Sequence, residues 1–172
     1  LDPGGTGCLP TGLGKATGLL KFLLADGKTY DCWMRIHKPL SEELIREGLG
    51  KFVGEIEQMP PVKSRVKRQL RKRTVYDLTI LEIDRQLVRF TIRCQAGTYI
   101  RTVCHDFGVM MKTGANMEKL RRLQAGPFDE SSLVSLDHLE QIAADSNRDV
   151  ELKPFLCPPE IAVRNIPQIV LD

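Results

Sequence analysis

The chain has few residues whose type and spacing suggest chemistry, and most familiar arrangements are missing. The glycine-rich opening LDPGGTGCLPTGLGKAT contains Gly12-Leu13-Gly14-Lys15, part of a phosphate-binding loop, but its first glycine is absent and no strand precedes it. The three histidines, His37, His105 and His138, are scattered, and no His-Glu-x-x-His pair occurs. The five cysteines (Cys8, Cys32, Cys94, Cys104, Cys157) show no Cys-x-x-Cys spacing, which argues against a structural zinc site and for a reduced compartment. Asp2 stands next to Pro3, and taken alone that pair is an ordinary turn former. The strongest compositional signal is electrostatic. KSRVKRQLRKR, from Lys63 to Arg73, holds seven basic residues and no acid, while the rest of the chain carries 18 basic against 22 acidic residues. A positive segment of this kind attracts polyanions, and binding through it weakens with salt. Its ordinary alternative is a solvated basic face or a targeting signal.

The elements that must position these residues are legible from periodicity. Ala16 to Leu24 reads as a short helix, followed by a turn at Ala25-Asp26-Gly27-Lys28. From Thr29 to His37, Tyr30, Cys32, Met34 and Ile36 alternate with Asp31, Arg35 and His37, which marks a half-buried strand. Ser41 caps a helix with Glu42 and Glu43 in its first turn, ending near Gly48-Leu49-Gly50. Lys51 to Gln58 reads as a strand stopped by Pro60-Pro61. Val75 to Ile83 and Leu87 to Gln95 form a hairpin through Asp84-Arg85-Gln86. Tyr99 to Met111 reads as a helix after a turn at Gly97, Leu120 to Leu123 as a short extended stretch, and Leu136 to Ala144 as a helix entered through Ser135. Beyond Asp145 the chain reads as irregular, with a possible strand at Gln168 to Leu171. Strands and helices mix without βαβ regularity, so the expected class is α+β, with a mostly antiparallel central sheet and flanking helices.

At 172 residues, 42% hydrophobic and 27% charged, with net charge +3, the composition excludes global disorder, a collagen-like chain and a disulfide scaffold. No apolar run approaches the roughly 20 residues that a membrane-spanning helix needs. The start, Leu1-Asp2-Pro3, has no Met and no signal-peptide pattern, and reads as the interior of a longer sequence.

Five blocks occur in order: LDPGGTGCLPTGLGKAT, GKTY, MPPVKSRVKRQLRKRTVYD, CQAGTYIRTVCHDFG and GANMEKLRRLQAGPF. Together they resemble the TruB/dyskerin family of RNA pseudouridine synthases, and the PPVKSRVKRQLRKRTVY and CQAGTYIRT blocks are closer to its archaeal and eukaryotic dyskerin branch. The resemblance extends from about Leu1 to Leu139. It implies a catalytic domain over residues 1–145 and, over 146–172, a linker and the start of a PUA-type region. It assigns Asp2 as the catalytic carboxylate and Arg101 as its guanidinium partner. Tyr30, 28 residues after Asp2, packs against the target base; Tyr99 and Leu120, the latter 19 residues after Arg101, line the base pocket. Lys63, Arg65, Lys67, Arg68 and Arg71 are the expected RNA contacts.

The implied reaction breaks the bond from ribose C1′ to uracil N1, turns the base over and rejoins C1′ to C5. Such an isomerisation calls for no metal and no small-molecule cofactor. The base must first leave the RNA stack, which an aromatic face and an aliphatic wall accommodate. The resemblance further implies guide and substrate RNA, the H/ACA small core proteins and a kink-turn-binding protein as partners, no membrane, and an intracellular location (nucleolar in a eukaryote, cytoplasmic in an archaeon). A stand-alone tRNA T-loop enzyme and a catalytically silent RNA-binding scaffold are the alternatives. The scaffold is suggested by three departures, Gly4 and Gly5 after the Leu-Asp-Pro and Gly18 where the family carries a basic residue.

Overall fold

Alternation in the sequence becomes a single twisted sheet with its apolar face covered by helices. The computed structural model describes residues 4–60, 69–145 and 148–164. In β2 (Lys28–Ile36), Cys32, Met34 and Ile36 are buried on one face. In β5 (Leu87–Cys94), Val88, Phe90, Ile92 and Cys94 are buried on that same face. The other strands are β1 (Thr6–Gly7), β3 (Gly54–Gln58), β4 (Arg71–Asp84), β6 (Ala115–Ala125) and β7 (Phe128–Asp129). Their order is β1-β6-β2-β5-β4-β3, with β7 also pairing β6. Only the β1–β6 pair is parallel. β2 is thus hydrogen-bonded along both edges.

Two helices supply the cover. α2 (Glu42–Gly50) begins where the Ser41 side chain accepts from the Leu44 amide, with Glu42 and Glu43 against the positive end of the helix dipole. α3 (Ile100–Met110) buries Ile100, Val103, Cys104 and Phe107. Ile45 and Leu49 of α2 join them, Phe90 and Ile92 in one continuous core. Burying a side chain of this size contributes roughly 1.5–3 kcal/mol. α3 stops in a tight turn in which the amides of Thr113 and Gly114 both donate to the Gly108 carbonyl at 3.0 Å. The opposite sheet face is polar: Arg89 forks onto Asp31 at 2.8–3.2 Å and lies 5.2 Å from the Trp33 ring, and Arg93 lies 5.1 Å from the Tyr76 ring.

The α+β class, the mostly antiparallel sheet, the hairpin and the caps at Ser41 and Ser135 follow the sequence reading. Several boundaries do not. The expected helix from Ala16 to Leu24 is a 3-10 helix over Gly14–Leu19 followed by α1 (Leu20–Ala25); Gly18 is a poor helix former in the middle of that span. Lys51 to Val53 form the turn that ends α2, so β3 starts only at Gly54. β4 begins at Arg71, four residues before the expected Val75. The short stretch at Leu120 is the eleven-residue β6. After α4 (Leu136–Ala144), where irregular chain was expected, come α5 (Arg148–Leu152) and 3-10 turns at Lys153–Phe155 and Pro159–Val163. The strand expected at Gln168 to Leu171 lies outside the described residues.

Candidate active site

Three elements on the helix-covered side of the sheet carry the described site residues. Tyr30 lies on the same face of β2 as Cys32, half-buried against the core. Opposite it in register stands Arg122 of β6, and Leu120 stands opposite Cys32. Tyr30 and Leu120 are therefore diagonal neighbours on one face. Leu120 is buried at 7% exposure. Burial pushes the Tyr30 phenol up and the Cys94 thiol adds to this, while the positive charge of Arg122, its register partner, opposes both.

Tyr99 and Arg101 come from the start of α3. Tyr99 is the N-cap of α3, and its carbonyl accepts from the amides of Thr102 at 3.0 Å and Val103 at 3.1 Å; its peptide groups gain a further partner. Gln58 supplies it. The Gln58 Oε1 accepts from the Tyr99 amide at 3.0 Å, and its Nε2 donates to the Tyr99 carbonyl at 3.1 Å. This bracket, buried at the end of β3, fixes the mouth of α3. The turn before it uses Gly97 at φ +78°, and Arg73 lies directly over that glycine. Further along α3, the Cys104 and Cys32 sulfurs lie 3.7 Å apart and pin the helix to β2 beside Tyr30. Arg101 is exposed on the first turn of α3, and Tyr99 is half-buried.

Asp2 lies outside the described residues, but the segment that follows it is docked. Gly7 pairs with Arg122, the Cys8 amide donates to the Arg122 carbonyl at 2.7 Å, and Arg122 Nε donates to the Cys8 carbonyl at 2.6 Å. Gly7 adopts φ +94°, and a Cβ there would sit 2.3 Å from the Arg122 carbonyl oxygen. Only glycine fits such an approach.

Of the expected RNA contacts, Lys63, Arg65, Lys67 and Arg68 also lie outside the described residues. Arg71 opens β4 opposite Gln58, beside the bracket that holds Tyr99. Its Nε, like that of Arg73, is enclosed without a hydrogen-bond partner. The next residue, Lys72, is paired to Glu55 at 2.7 Å, so the end of the basic run is part of a sheet and partly neutralised. Among the described residues no cluster of His, Cys, Asp or Glu could hold a metal ion, and no helix is long and apolar enough to cross a membrane.

Arg122 and Gln58 went unnoticed in the sequence. The signal for Arg122 is a cation on the core-facing register of a strand. That signal exists only once Ala115–Ala125 is recognised as a strand throughout. Gln58 is a buried amide immediately before a proline-rich stop.

Comparison with known proteins follows this geometry. Residues 37–100 match the model described as TruB family pseudouridylate synthase (N terminal domain), and residues 101–164 match that of the tRNA pseudouridylate synthase B C-terminal domain. The probable tRNA pseudouridine synthase B of Saccharolobus solfataricus is 40% identical over 168 residues, covering 95% of this chain and 67% of that protein. This chain belongs to the TruB family of pseudouridine synthases. The TruB relative from Methanothermobacter thermautotrophicus is 47% identical over 99% of this chain and 54% of its own length. A solved Cbf5–Nop10–Gar1 complex contains a chain that superposes with a TM-score of 0.88 at 40% identity, over 95% of this chain and 51% of that one. An H/ACA ribonucleoprotein bound to a substrate RNA containing 2′-deoxyuridine gives 0.77 at 35% identity, over 88% and 46%. The chain spans about half the length of most of these TruB proteins. The boundary between the two matched family domains falls at Arg101, on the first turn of α3.

Proposed function

We propose that this chain is the catalytic part of an RNA pseudouridine synthase, with Asp2 as its reactive carboxylate. The observation that carries the reading is the convergence of Tyr30 and Leu120 on one face of β2–β6, with the α3 start that bears Tyr99 and Arg101 pinned to β2. The site needs one ionised carboxylate at ribose C1′, able to attack the sugar or take a proton from it. Arg101 beside it would keep that carboxylate charged and aimed. Tyr30 and Leu120 offer an aromatic and an aliphatic surface between which a flipped uracil can turn. When C1′ rejoins at C5, the C5 proton leaves and N1 takes one up, so the reaction is redox-neutral.

The test is tritium release from transcripts containing [5-3H]uridine. The wild-type chain is expected to release tritium. Asp2→Asn is expected to release none while binding the same RNA, and turnover by that variant would show the mechanism to be wrong.

Two substrate modes remain in view because the similar proteins differ. The solved neighbours are parts of H/ACA complexes, one bound to a substrate RNA, which favours RNA and the small H/ACA core proteins as partners; with them we propose guide RNA and a kink-turn-binding protein, in an intracellular particle. The curated relatives are called tRNA pseudouridine synthase B, which favours direct action on tRNA. Release from a free tRNA transcript without guide RNA supports the second mode; release only when guide RNA and the core proteins are added supports the first.

A further inference from the structure

Arg122 is the unusual residue of the sheet. It lies on the apolar face, 6% exposed, yet among the described residues no carboxylate pairs with it. A buried cation is costly unless its donors are used, and an apolar residue usually serves stability as well or better. Its neighbourhood adds to the cost, since Arg122 and Lys28 repel one another and Arg122 helps hold the Lys28 ammonium below its ordinary range.

Arg122 stands next to both the Cys8 carbonyl and Tyr30. Nε donates to the Cys8 carbonyl at 2.6 Å, and the same residue stands opposite Tyr30 in register, where its charge acts on the Tyr30 phenol. Cys8 ends the segment that begins at Asp2. The Arg122 main chain grips that segment a second time, accepting from the Cys8 amide at 2.7 Å. A planar fork can hold two acceptors in set directions at once; an ammonium is a point charge without that geometry.

We propose that Arg122 is a positioning residue of the reaction, holding the segment that bears Asp2 at a set distance from Tyr30. The proposal rests on the catalytic reading above. In it Arg122 touches no reacting atom. It acts by fixing the Cys8 carbonyl beside the strand position opposite Tyr30, so its loss misplaces the segment that bears the carboxylate relative to the base.

The test compares wild type, Arg122→Lys and Arg122→Met of the 172-residue chain. The probe is a [5-3H]uridine tRNA transcript, with guide RNA and core proteins added if the wild type requires them. Arg122→Lys keeps the buried charge and is expected to melt close to wild type. Its single-turnover rate at saturating RNA is nevertheless expected to fall about 100-fold, as misplacement by about an ångström does, with RNA affinity unchanged. Arg122→Met is expected to show the same loss of rate. A near-wild-type rate in Arg122→Lys, or a loss confined to RNA affinity, would overturn the proposal. Amide hydrogen exchange supplies a readout independent of activity. The Cys8 amide is expected to exchange about tenfold faster in Arg122→Lys, through local opening of β1 from β6. Unchanged exchange there refutes the clamp even if the wild-type chain makes no pseudouridine. Inactivity of the wild type with accelerated exchange in the variant would count against the catalytic reading while leaving the clamp standing.

Discussion

Replacing Gly7 by alanine tests whether the Asp2 segment is held by the β1–β6 contact. The added Cβ would lie 2.3 Å from the Arg122 carbonyl oxygen and 2.9 Å from its amide nitrogen, where real Cβ atoms essentially never come within 3.0 Å. β1 must move out by most of an ångström, which stretches both hydrogen bonds between Cys8 and Arg122. Those bonds contribute about 1 kcal/mol for the neutral one and about 1.5–3 for the one from the guanidinium. Holding alanine at positive φ costs roughly 1–2 kcal/mol more. The total, about 3.5–6 kcal/mol, exceeds what a two-residue strand gains, so β1 should detach while the core stays folded. Even 3 kcal/mol corresponds to about a 150-fold loss of rate. The assay is single-turnover tritium release beside thermal melting, with Gly50→Ala as control because no atom lies within 4 Å of its would-be Cβ. A Gly7→Ala enzyme of wild-type rate refutes the reasoning. Global unfolding refutes it too, since β1 would then belong to the core.

Gly108→Ala should unfold the chain at markedly lower temperature, because its Cβ would meet the Ala115 amide nitrogen at 2.1 Å; a gain in melting temperature, as helix propensity alone predicts, would contradict the close α3–β6 packing. Alkaline stability should fall. Burial raises the Cys94 thiol from its ordinary 9.0 to about 11, so above pH 9 the unfolded chain releases a proton that the folded chain retains. Stability is therefore unaffected by this group below pH 9 and declines to about pH 11, on the order of 2–3 kcal/mol at about 1.4 per pH unit. Denaturant titrations of wild type and Cys94→Ala isolate the thiol, and parallel profiles would refute it. Neutralising Lys67, Arg68 and Arg71 together should lower the slope of log affinity against log salt by about 2, if each contacts one phosphate; an unchanged slope means the run faces away from RNA.

How much of this was legible depends on which force decides each element. β2, β5, α2 and α3 were readable because local pattern and burial agree: apolar alternation for the strands, and capping for α2. β6 was not. Its sequence, ANMEKLRRLQA, consists mostly of good helix formers. It is a strand because β2 offers it a partner from Lys28 to Ile36, and pairing overrides propensity. The basic run misled in the opposite sense. Seven cations suggest a solvated patch, yet its end enters β4, where Lys72 stands opposite Glu57 and pairs with Glu55 while Arg71 and Arg73 stand opposite Gln58 and Ile56. Within the site, motif residues were visible by type and spacing, whereas Gln58 and Arg122 act through backbone groups far along the chain. No local window shows that Gln58 will meet Tyr99, 41 residues away, or that Arg122 will meet Cys8, 114 residues away.

These long-range contacts explain how the described site residues are placed. Tyr30 sits on the strand bonded along both edges, Leu120 on its neighbour, and Tyr99 and Arg101 on a helix tied at one end by Gln58 and in the middle by Cys104. Such placements need no dedicated support, because the core provides it. Asp2 precedes a glycine-rich segment whose described part meets the sheet through the two-residue strand β1. A carboxylate borne on that segment depends on how the segment is held, and among the described residues the Cys8 backbone is held by Arg122. Substitutions should accordingly divide into two kinds. Those at Gly108 or Phe107 lower stability, and activity with it, in proportion to the core they disturb. Those at Gly7 or Arg122 lower the rate far more than the stability, because they loosen the contact between β1 and β6 rather than the core.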